Sequence, residues 1–230
     1  MGSLTAVREI IYSVRDFLFP PVCPLCEGEI QDEEVVCSSC VDSLYLEALR
    51  YTAPLRDVES ASALSVLLPY DTTCRTLVHS LKYHGMSSLG LVMGKLMAQK
   101  TVNQITVSPS AVLVPVPLHP DRFRQRGYNQ SERLATGFAS FSGHEIRNDI
   151  LKRARKTETQ TRLSHEERKQ NVESAFIFAG ETSLAGRDVV LIDDVLTTGS
   201  TMGECVRALE AGGAGRIIIS VLATPDPGTE

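Results

Sequence analysis

The chain has 230 residues, a formal net charge of −5 and 43% hydrophobic residues, which is enough for one ordinary domain and a small appendage. The charge is uneven, because residues 122–169 hold 12 of the 23 Lys and Arg residues against 6 acids. The basic cluster predicts a local anion site, and the negative net charge excludes a chain that coats nucleic acid with its whole surface. No apolar run approaches the roughly 20 residues of a membrane span. Charges interrupt the N-terminus, so we expect no signal peptide.

Four of the six cysteines form two pairs near the N-terminus, and their spacing predicts a zinc module. The pairs are Cys23-x-x-Cys26 and Cys37-x-x-Cys40, and each can reach one tetrahedral ion through a tight turn. Four thiolates leave no open position for water, so the predicted Zn²⁺ is structural. Disulfides and a redox dithiol are the alternatives, although nothing in the sequence indicates the oxidising compartment that disulfides need.

Helix and strand patterns alternate along the chain and predict an α/β fold. The predicted strands cover residues 62–70, 111–116, 174–178, 188–193 and 216–223. The predicted helices cover residues 1–20, about 71–81, about 87–99, about 130–141 and a segment from about 201 to the glycines at 212–213. This alternation is typical of a parallel sheet with helices on both faces. We therefore predict a zinc unit over residues 1–50 and an α/β domain over residues 60–230, with residues 46–60 as a linker.

A basic segment, VPVPLHPDRFRQRGYNQSERLA at 114–135, leaves a predicted strand and enters a predicted helix. Arg122, Arg124 and Arg126 alternate, so we predict that they converge on a polyanion, because guanidinium forks match phosphate oxygens. Ligands of open parallel sheets bind beyond the carboxyl ends of the strands, which is where this segment begins. The alternative is a solvated basic loop.

A second basic stretch, residues 152–162, lacks an apolar stripe and is a candidate mobile lid. It carries Arg153, Arg155 and Lys156, which would move with it. Closure of such a lid would exclude water from a reactive intermediate. An exposed charged loop is the alternative.

The run VVLIDDVLTTGST at 189–201 is the most informative part of the sequence. Its four apolar residues predict a buried strand, and Asp193 and Asp194 follow at the carboxyl end. The turn after them can bind a phosphate through backbone N–H groups at the start of a helix. Gly199 lets the backbone approach a ligand closely, and adjacent carboxylates suit sugar hydroxyls or hydrated Mg²⁺. The alternative is an ordinary capped turn with solvated acids.

This run resembles the signature of type I phosphoribosyltransferases, which bind 5-phosphoribosyl-1-pyrophosphate (PRPP). By that resemblance, Asp193 and Asp194 face the ribose 2- and 3-hydroxyls, residues 197–201 cradle the 5-phosphate, and Mg²⁺ accompanies PRPP. The implied reaction displaces pyrophosphate from ribose C1 with a nitrogen nucleophile. The residues assigned to the reaction are Asp193, Asp194, Arg122 and Arg126, and those assigned to PRPP binding are Val195, Thr197, Thr198, Gly199, Ser200, Thr201, Arg155 and Lys156.

The whole set of motifs resembles the ComF family. The motifs that carry this resemblance are the two cysteine pairs, LKYHG (81–85), PVPLHPDRFRQRGYNQ (115–130), RKTETQTRL (155–163), RKQNVESAF (168–176) and VVLIDDVLTTGST. The resemblance implies a type I phosphoribosyltransferase (Rossmann-like) domain with a parallel sheet, preceded by a small zinc-binding module. It also implies that Lys82, Tyr83 and His84 of LKYHG line the site, with packing at the end of a helix as the alternative.

The family's acceptor substrate is not settled, so the function stays open among three classes. The first is a phosphoribosyltransferase with an unknown acceptor, and the second is a non-catalytic PRPP sensor. The third is an adaptor that holds single-stranded DNA beside a helicase-like ATPase during natural transformation. No aromatic ladder interleaves the basic residues, so the sequence predicts no stacking platform for single strands. The resemblance and the thiolate zinc site favour a bacterial cytoplasmic location.

Overall fold

A five-stranded parallel sheet forms the centre of the molecule, with strand order β1-β7-β6-β2-β3. The computed structural model describes residues 22–31, 34–53, 58, 60–83, 86–153, 175–180 and 183–225. The strands are β1 (Ala63–Pro69), β2 (Val112–Pro115), β3 (Glu145–Ile146), β4 (Leu151–Arg153), β5 (Phe176–Phe178), β6 (Val189–Val195) and β7 (Ile217–Thr224). The helices are α1 (Ser38–Arg50), α2 (Thr72–Tyr83), α3 (Ser87–Gln104), α4 (Pro120–Arg126), α5 (Gln130–Ser142) and α6 (Ser200–Ala211).

The sheet is buried on both faces, which explains why its central strands are continuous apolar runs. Val190 and Ile192 of β6 belong to the core beneath α2, α3 and α5. Val189 and Leu191 belong to the core on the opposite face, together with the apolar side of α6. The predicted α/β architecture is confirmed, and β6 lies in the middle of the sheet with its two acids at the carboxyl end.

Helices α3 and α5 touch through their backbones at two glycines. A Cβ atom at Gly94 would lie 2.0 Å from the Leu134 carbonyl oxygen, and one at Gly137 would lie 2.1 Å from the Leu91 carbonyl oxygen. Only glycine permits such an approach, because real Cβ contacts never come this close. The contact fixes the position of α5, whose first turn contributes to the site described below.

Helix α1 follows the cysteine pairs and docks on the domain, which corrects the linker predicted over residues 46–60. The helix continues to Arg50, because Leu44 and Ala48 are buried in the same core as Leu77 of α2. The side chain of Lys100 is also buried there, and its Nζ donates to the carbonyl oxygens of Ala48 (2.7 Å) and Tyr51 (2.8 Å). These carbonyls lie at the end of α1, where a cation is stabilising.

Two further predictions on the elements need correction. The strand predicted at 174–178 exists as β5, but it pairs antiparallel with β4 in a separate two-stranded sheet. The basic segment after β2 contains the short helix α4, which starts at Pro120, ends at Arg126 and is capped by Gly127 in the left-handed conformation (φ 79°). Pro120 suits the first turn of a helix, and the His119 ring accepts a hydrogen bond from the Asp121 backbone.

The remaining predictions concern parts that the structure does not describe. The helix predicted over residues 1–20 lies outside the described residues, as does most of the predicted lid, including Arg155 and Lys156. The division into units at 1–50 and 60–230 stays a prediction. Among the described helices, none is long and apolar enough to cross a membrane.

Candidate functional site

The two acids at the end of β6 have different partners. Asp194 is 5% exposed, and its Oδ2 lies 2.6 Å from Nζ of Lys82, at the end of α2. The backbone N–H of Val195 donates to its Oδ1 at 2.8 Å. Asp193 accepts a hydrogen bond from the hydroxyl of Ser131 at 2.7 Å. The two carboxylates are therefore held in place by side chains from α2 and from the first turn of α5.

The electrostatic setting of Asp193 favours its protonated form at acidic to near-neutral pH. Burial raises the pKa of Asp193 from 3.8 to about 7, and the negative charge of Asp194 acts in the same direction. The Ser131 hydroxyl and the Lys82 ammonium oppose the rise. Two adjacent acids in this setting suit a ligand that brings hydroxyl donors or a cation, because either would stabilise the second negative charge.

The turn after Asp193 and Asp194 is exposed to solvent, and a hydrogen bond from β7 holds it in place. Leu196 is buried, and its carbonyl oxygen accepts a hydrogen bond from Thr224 of β7 at 2.8 Å. Gly199 has φ 80° and immediately precedes α6, and its left-handed conformation favours glycine. Thr197, Thr198, Ser200 and Thr201 are exposed around it. The predicted strand, turn and helix start are confirmed, and this geometry presents hydroxyls and backbone N–H groups to an anion.

The arginines of the basic segment do not converge as predicted, because they lie on a helix rather than a loop. Residues two positions apart on a helix point to different sides, whereas Arg122 and Arg126, four apart, share a face. Arg124 pairs with Asp121. Arg126 donates to Gln130 at 2.8 Å, and its guanidinium carbon lies 5.4 Å from the centre of the Tyr83 ring.

Lys82 and Tyr83 therefore lie beside the assigned residues, as the LKYHG resemblance implies. Lys82 pairs with Asp194 and Tyr83 stacks with Arg126. The hydroxyl of Tyr128 donates to the carbonyl oxygen of Leu81 and joins this end of α2 to the basic segment. His84 lies outside the described residues.

Sequence reasoning missed Ser131 as a site residue and placed Arg153 on a mobile lid. Ser131 lies 62 positions from Asp193, and no local pattern signals such a pairing. Arg153 lies in β4, with its guanidinium 5.2 Å from the centre of the Phe176 ring. Burial lowers the pKa of Arg153, the charge of Arg122 acts in the same direction, and Asp193 opposes them. Arg153 is therefore a fixed cation near the acids rather than part of a moving segment.

The four paired cysteines come together at the other end of the sequence. Their Sγ atoms all lie within 4.8 Å of one another, and those of Cys26 and Cys37 are 3.6 Å apart. A tight turn holds the first pair, since the N–H of Cys23 donates to the carbonyl oxygen of Gly28 at 2.8 Å. Four clustered sulfurs fit a tetrahedral zinc ion without an open position.

Comparison with known proteins supports both the α/β domain and the zinc module. Residues 131–230 match the model of the phosphoribosyl transferase domain, and residues 14–50 match the double zinc ribbon domain. The DNA utilization protein YhgH of Salmonella typhimurium is 28% identical over 199 residues, which cover 85% of this chain and 87% of the relative.

Two relatives carry competence names. Competence protein F of Haemophilus influenzae is 29% identical over 209 residues, covering 88% of this chain and 84% of the relative. Competence protein ComFC of Bacillus subtilis is 28% identical over 206 residues, covering 88% and 78%. The fold and the matched models define a protein with a phosphoribosyltransferase domain behind a zinc ribbon. These relatives and models confirm the resemblance to the ComF family that the motifs of the chain indicate.

Proposed function

We propose that the protein binds PRPP and transfers its phosphoribosyl group to a nitrogen acceptor. The observation that carries the proposal is the placement of Asp193 and Asp194 directly before a glycine turn that opens α6. A ribose diol on the acids would bring the 5-phosphate of the same sugar to residues 197–201. The backbone N–H groups and the helix dipole at that turn favour a phosphate.

The described cations support a role for the neighbouring elements in catalysis. As the acceptor nitrogen bonds to ribose C1, the C1–O bond to pyrophosphate breaks and its electron pair leaves on the pyrophosphate oxygen. Arg122 and Arg126 would stabilise the charge that builds on this leaving group, with Arg153 nearby. A well-placed donor of this kind is worth about 3 kcal/mol. Asp193 and Asp194 would orient the sugar through its hydroxyls, held in turn by Ser131 and Lys82.

Magnesium belongs to the same proposal. The acids offer the oxygen ligands that Mg²⁺ prefers, and their charge fits a hydrated cation that PRPP brings with it. When bound, Mg²⁺ would supply charge to the pyrophosphate. We further infer a bacterial cytoplasmic location, on the basis of the relatives and the thiolate zinc site.

Calorimetric titration with PRPP and Mg²⁺ tests the proposal. We expect micromolar binding, lost in an Asp193→Asn, Asp194→Asn double variant. The matched control is Glu145→Gln with Glu210→Gln, which removes the same charge from two exposed acids at the opposite end of the sheet. Unchanged binding in the acid-pair variant would contradict the site. Binding without pyrophosphate release for any acceptor would identify a PRPP sensor rather than an enzyme.

A second candidate function is the handling of single-stranded DNA, alone or beside a helicase-like ATPase. The relatives' names, DNA utilization protein and competence protein, favour it, and the structure pairs an exposed Tyr83 with Arg126. Binding of this type weakens steeply with salt. An Arg122→Gln, Arg126→Gln variant should therefore bind an oligothymidylate more weakly and with a shallower salt dependence. An unchanged affinity and salt dependence would contradict this role for α4.

A further inference from the structure

A groove of about 570 Å³ runs along α2, and its lining includes Lys82, the partner of Asp194. Its walls include the rings of Tyr70, His79 and Tyr83 and the cations Arg75 and Lys82. Small-molecule sites typically have volumes of roughly 300–1,000 Å³, with apolar or aromatic walls and a few polar groups. The groove therefore has the size and composition of a site for a single heterocycle.

Two of the groove residues also contact residues of the proposed reaction. Lys82 lies 2.6 Å from Asp194, and Tyr83 stacks with Arg126. An acceptor must reach ribose C1, which lies between the ribose diol and the pyrophosphate. The groove borders the residues assigned to both of these groups, so a molecule in it would approach C1 from the side of α2.

The chemistry of the walls selects the class of molecule. Tyr83 is 66% exposed, and its ring centre lies 4.9 Å from that of His79 with a tilt of 44°. Exposed rings of this kind offer stacking area to a planar ligand. Arg75 lies over the Tyr70 ring at 5.4 Å, and no acid of the described residues forms an ion pair with it. A guanidinium supported in this way binds carboxylate or phosphate groups through its planar fork.

We propose that this groove holds the acceptor, and that the acceptor is a planar aromatic nitrogen compound with an acidic group. The ring packs on Tyr83 and His79, and the acidic group binds Arg75. The inference rests on the proposed phosphoribosyl transfer. The ring nitrogen supplies the lone pair that forms the bond to C1, and pyrophosphate leaves with the electrons of the broken C1–O bond. An acceptor nitrogen that carries hydrogen releases its proton to solvent.

Ring-matched ligand pairs test the proposal by calorimetry or ligand-observed NMR on the full chain. The pairs are nicotinate with nicotinamide and orotate with uracil, in which only the acidic member can form an ion pair with Arg75. We expect at least one acidic member to bind about tenfold more tightly than its neutral partner, because its contact with Arg75 is charge-assisted. Arg75→Gln should remove this difference, and Tyr83→Ala should weaken both members. Arg124→Gln is the control, since that residue pairs with Asp121.

PRPP titrations of the same proteins separate the two levels of the proposal. If each acidic ligand binds no more tightly than its neutral partner, or if its preference persists in Arg75→Gln, the acceptor groove is overturned while PRPP binding stands. If the wild-type protein binds nicotinate or orotate but not PRPP, the proposed function itself is overturned. If the protein binds oligothymidylate but neither nicotinate nor orotate, and Tyr83→Ala abolishes that binding, the groove is a nucleic-acid surface. That result would also overturn the proposal.

Discussion

Asp193 gives the folded protein a pH dependence of stability whose sign is set by its raised pKa. Burial raises this pKa from 3.8 to about 7, so the folded state keeps a proton that the unfolded chain has lost. Stability therefore falls as the pH rises between about 4 and about 7, and the loss is complete above the folded-state pKa.

The variant Asp193→Asn should remove this loss of stability with rising pH. Its stability relative to the parent should increase from about pH 5 to about pH 8, by roughly 1–4 kcal/mol. Denaturant unfolding at the two pH values measures the change. Asp149→Asn is the control, because Arg147 lowers the pKa of Asp149. This carboxyl is therefore ionised in both states above about pH 5, and the stability of that variant relative to the parent should not change between the two pH values. A gain for Asp193→Asn that does not depend on pH would contradict the burial argument.

Lys82 and Asp194 should be energetically coupled. Removing one partner of a buried ion pair leaves an uncompensated charge, at a cost of about 3–5 kcal/mol for full burial. Lys82 is partly exposed, so we expect Lys82→Met to cost about 1–3 kcal/mol. The double variant with Asp194→Asn should recover most of this loss. Unfolding free energies of the four proteins complete the cycle, and additive losses would show that the pair contributes no coupling.

At the scale of elements, the crossing of α3 and α5 depends on glycine. Gly94→Ala would place a methyl group against the backbone of Leu134, and such overpacking costs about 1–3 kcal/mol. The control is Gly203→Ala in α6, where the nearest atom is the end of the Arg207 side chain at 3.7 Å. That change should stabilise the protein by up to about 1 kcal/mol, because alanine is the better helix former. Thermal unfolding distinguishes the two, and equal effects would contradict the close approach.

The sequence predicts those elements whose own residues determine them. Strands β6 and β7 are apolar runs, and both are found within about two residues of their predicted bounds. Helix α4 was missed because its residues carry no apolar stripe, although Pro120 and the capping His119 were available signals. The antiparallel pairing of β4 with β5 joins residues on either side of a long connection, and a single sequence contains no local signal for it.

The same distinction applies to the site. Asp193, Asp194 and Gly199 lie within one short run, so a motif could identify them. Ser131 contacts Asp193 only through the fold, and the electrostatic effect of Asp193 on Arg153 also depends on the fold. Arg124 was grouped with its neighbours because the sequence did not predict helix α4. Residues that only tertiary packing brings together could therefore be identified only from the structure.

At the scale of the whole molecule, the zinc module and the α/β domain share one core. Cys23, Val36, Leu44 and Ala48 belong to the same buried cluster as residues of α2, α3 and β6. Zinc-dependent folding of the N-terminal part should therefore contribute to the stability of the rest. The sequence predicted a zinc unit over residues 1–50 and an α/β domain over residues 60–230, and the packing of α1 joins described residues of both in one core.

Loss of zinc should destabilise the domain without unfolding it. In a Cys23→Ser, Cys26→Ser variant we expect the parallel sheet to persist, with a stability loss of about 2–4 kcal/mol from the exposed contacts of α1. Hydrogen exchange reports the protection of β6 and β7 separately from that of α1. Full loss of protection in the sheet would contradict a domain that folds by itself, and unchanged sheet stability would contradict the shared core.

The central claim is that the end of β6 and the turn at 197–201 form one PRPP site. A crystal structure of the full chain with PRPP and Mg²⁺ tests this most directly. We expect the 5-phosphate on the backbone N–H groups at the start of α6 and the ribose hydroxyls on Asp193 and Asp194, with the pyrophosphate toward Arg122 and Arg126. Well-ordered PRPP bound elsewhere, with the turn at Gly199 empty, would contradict the claim.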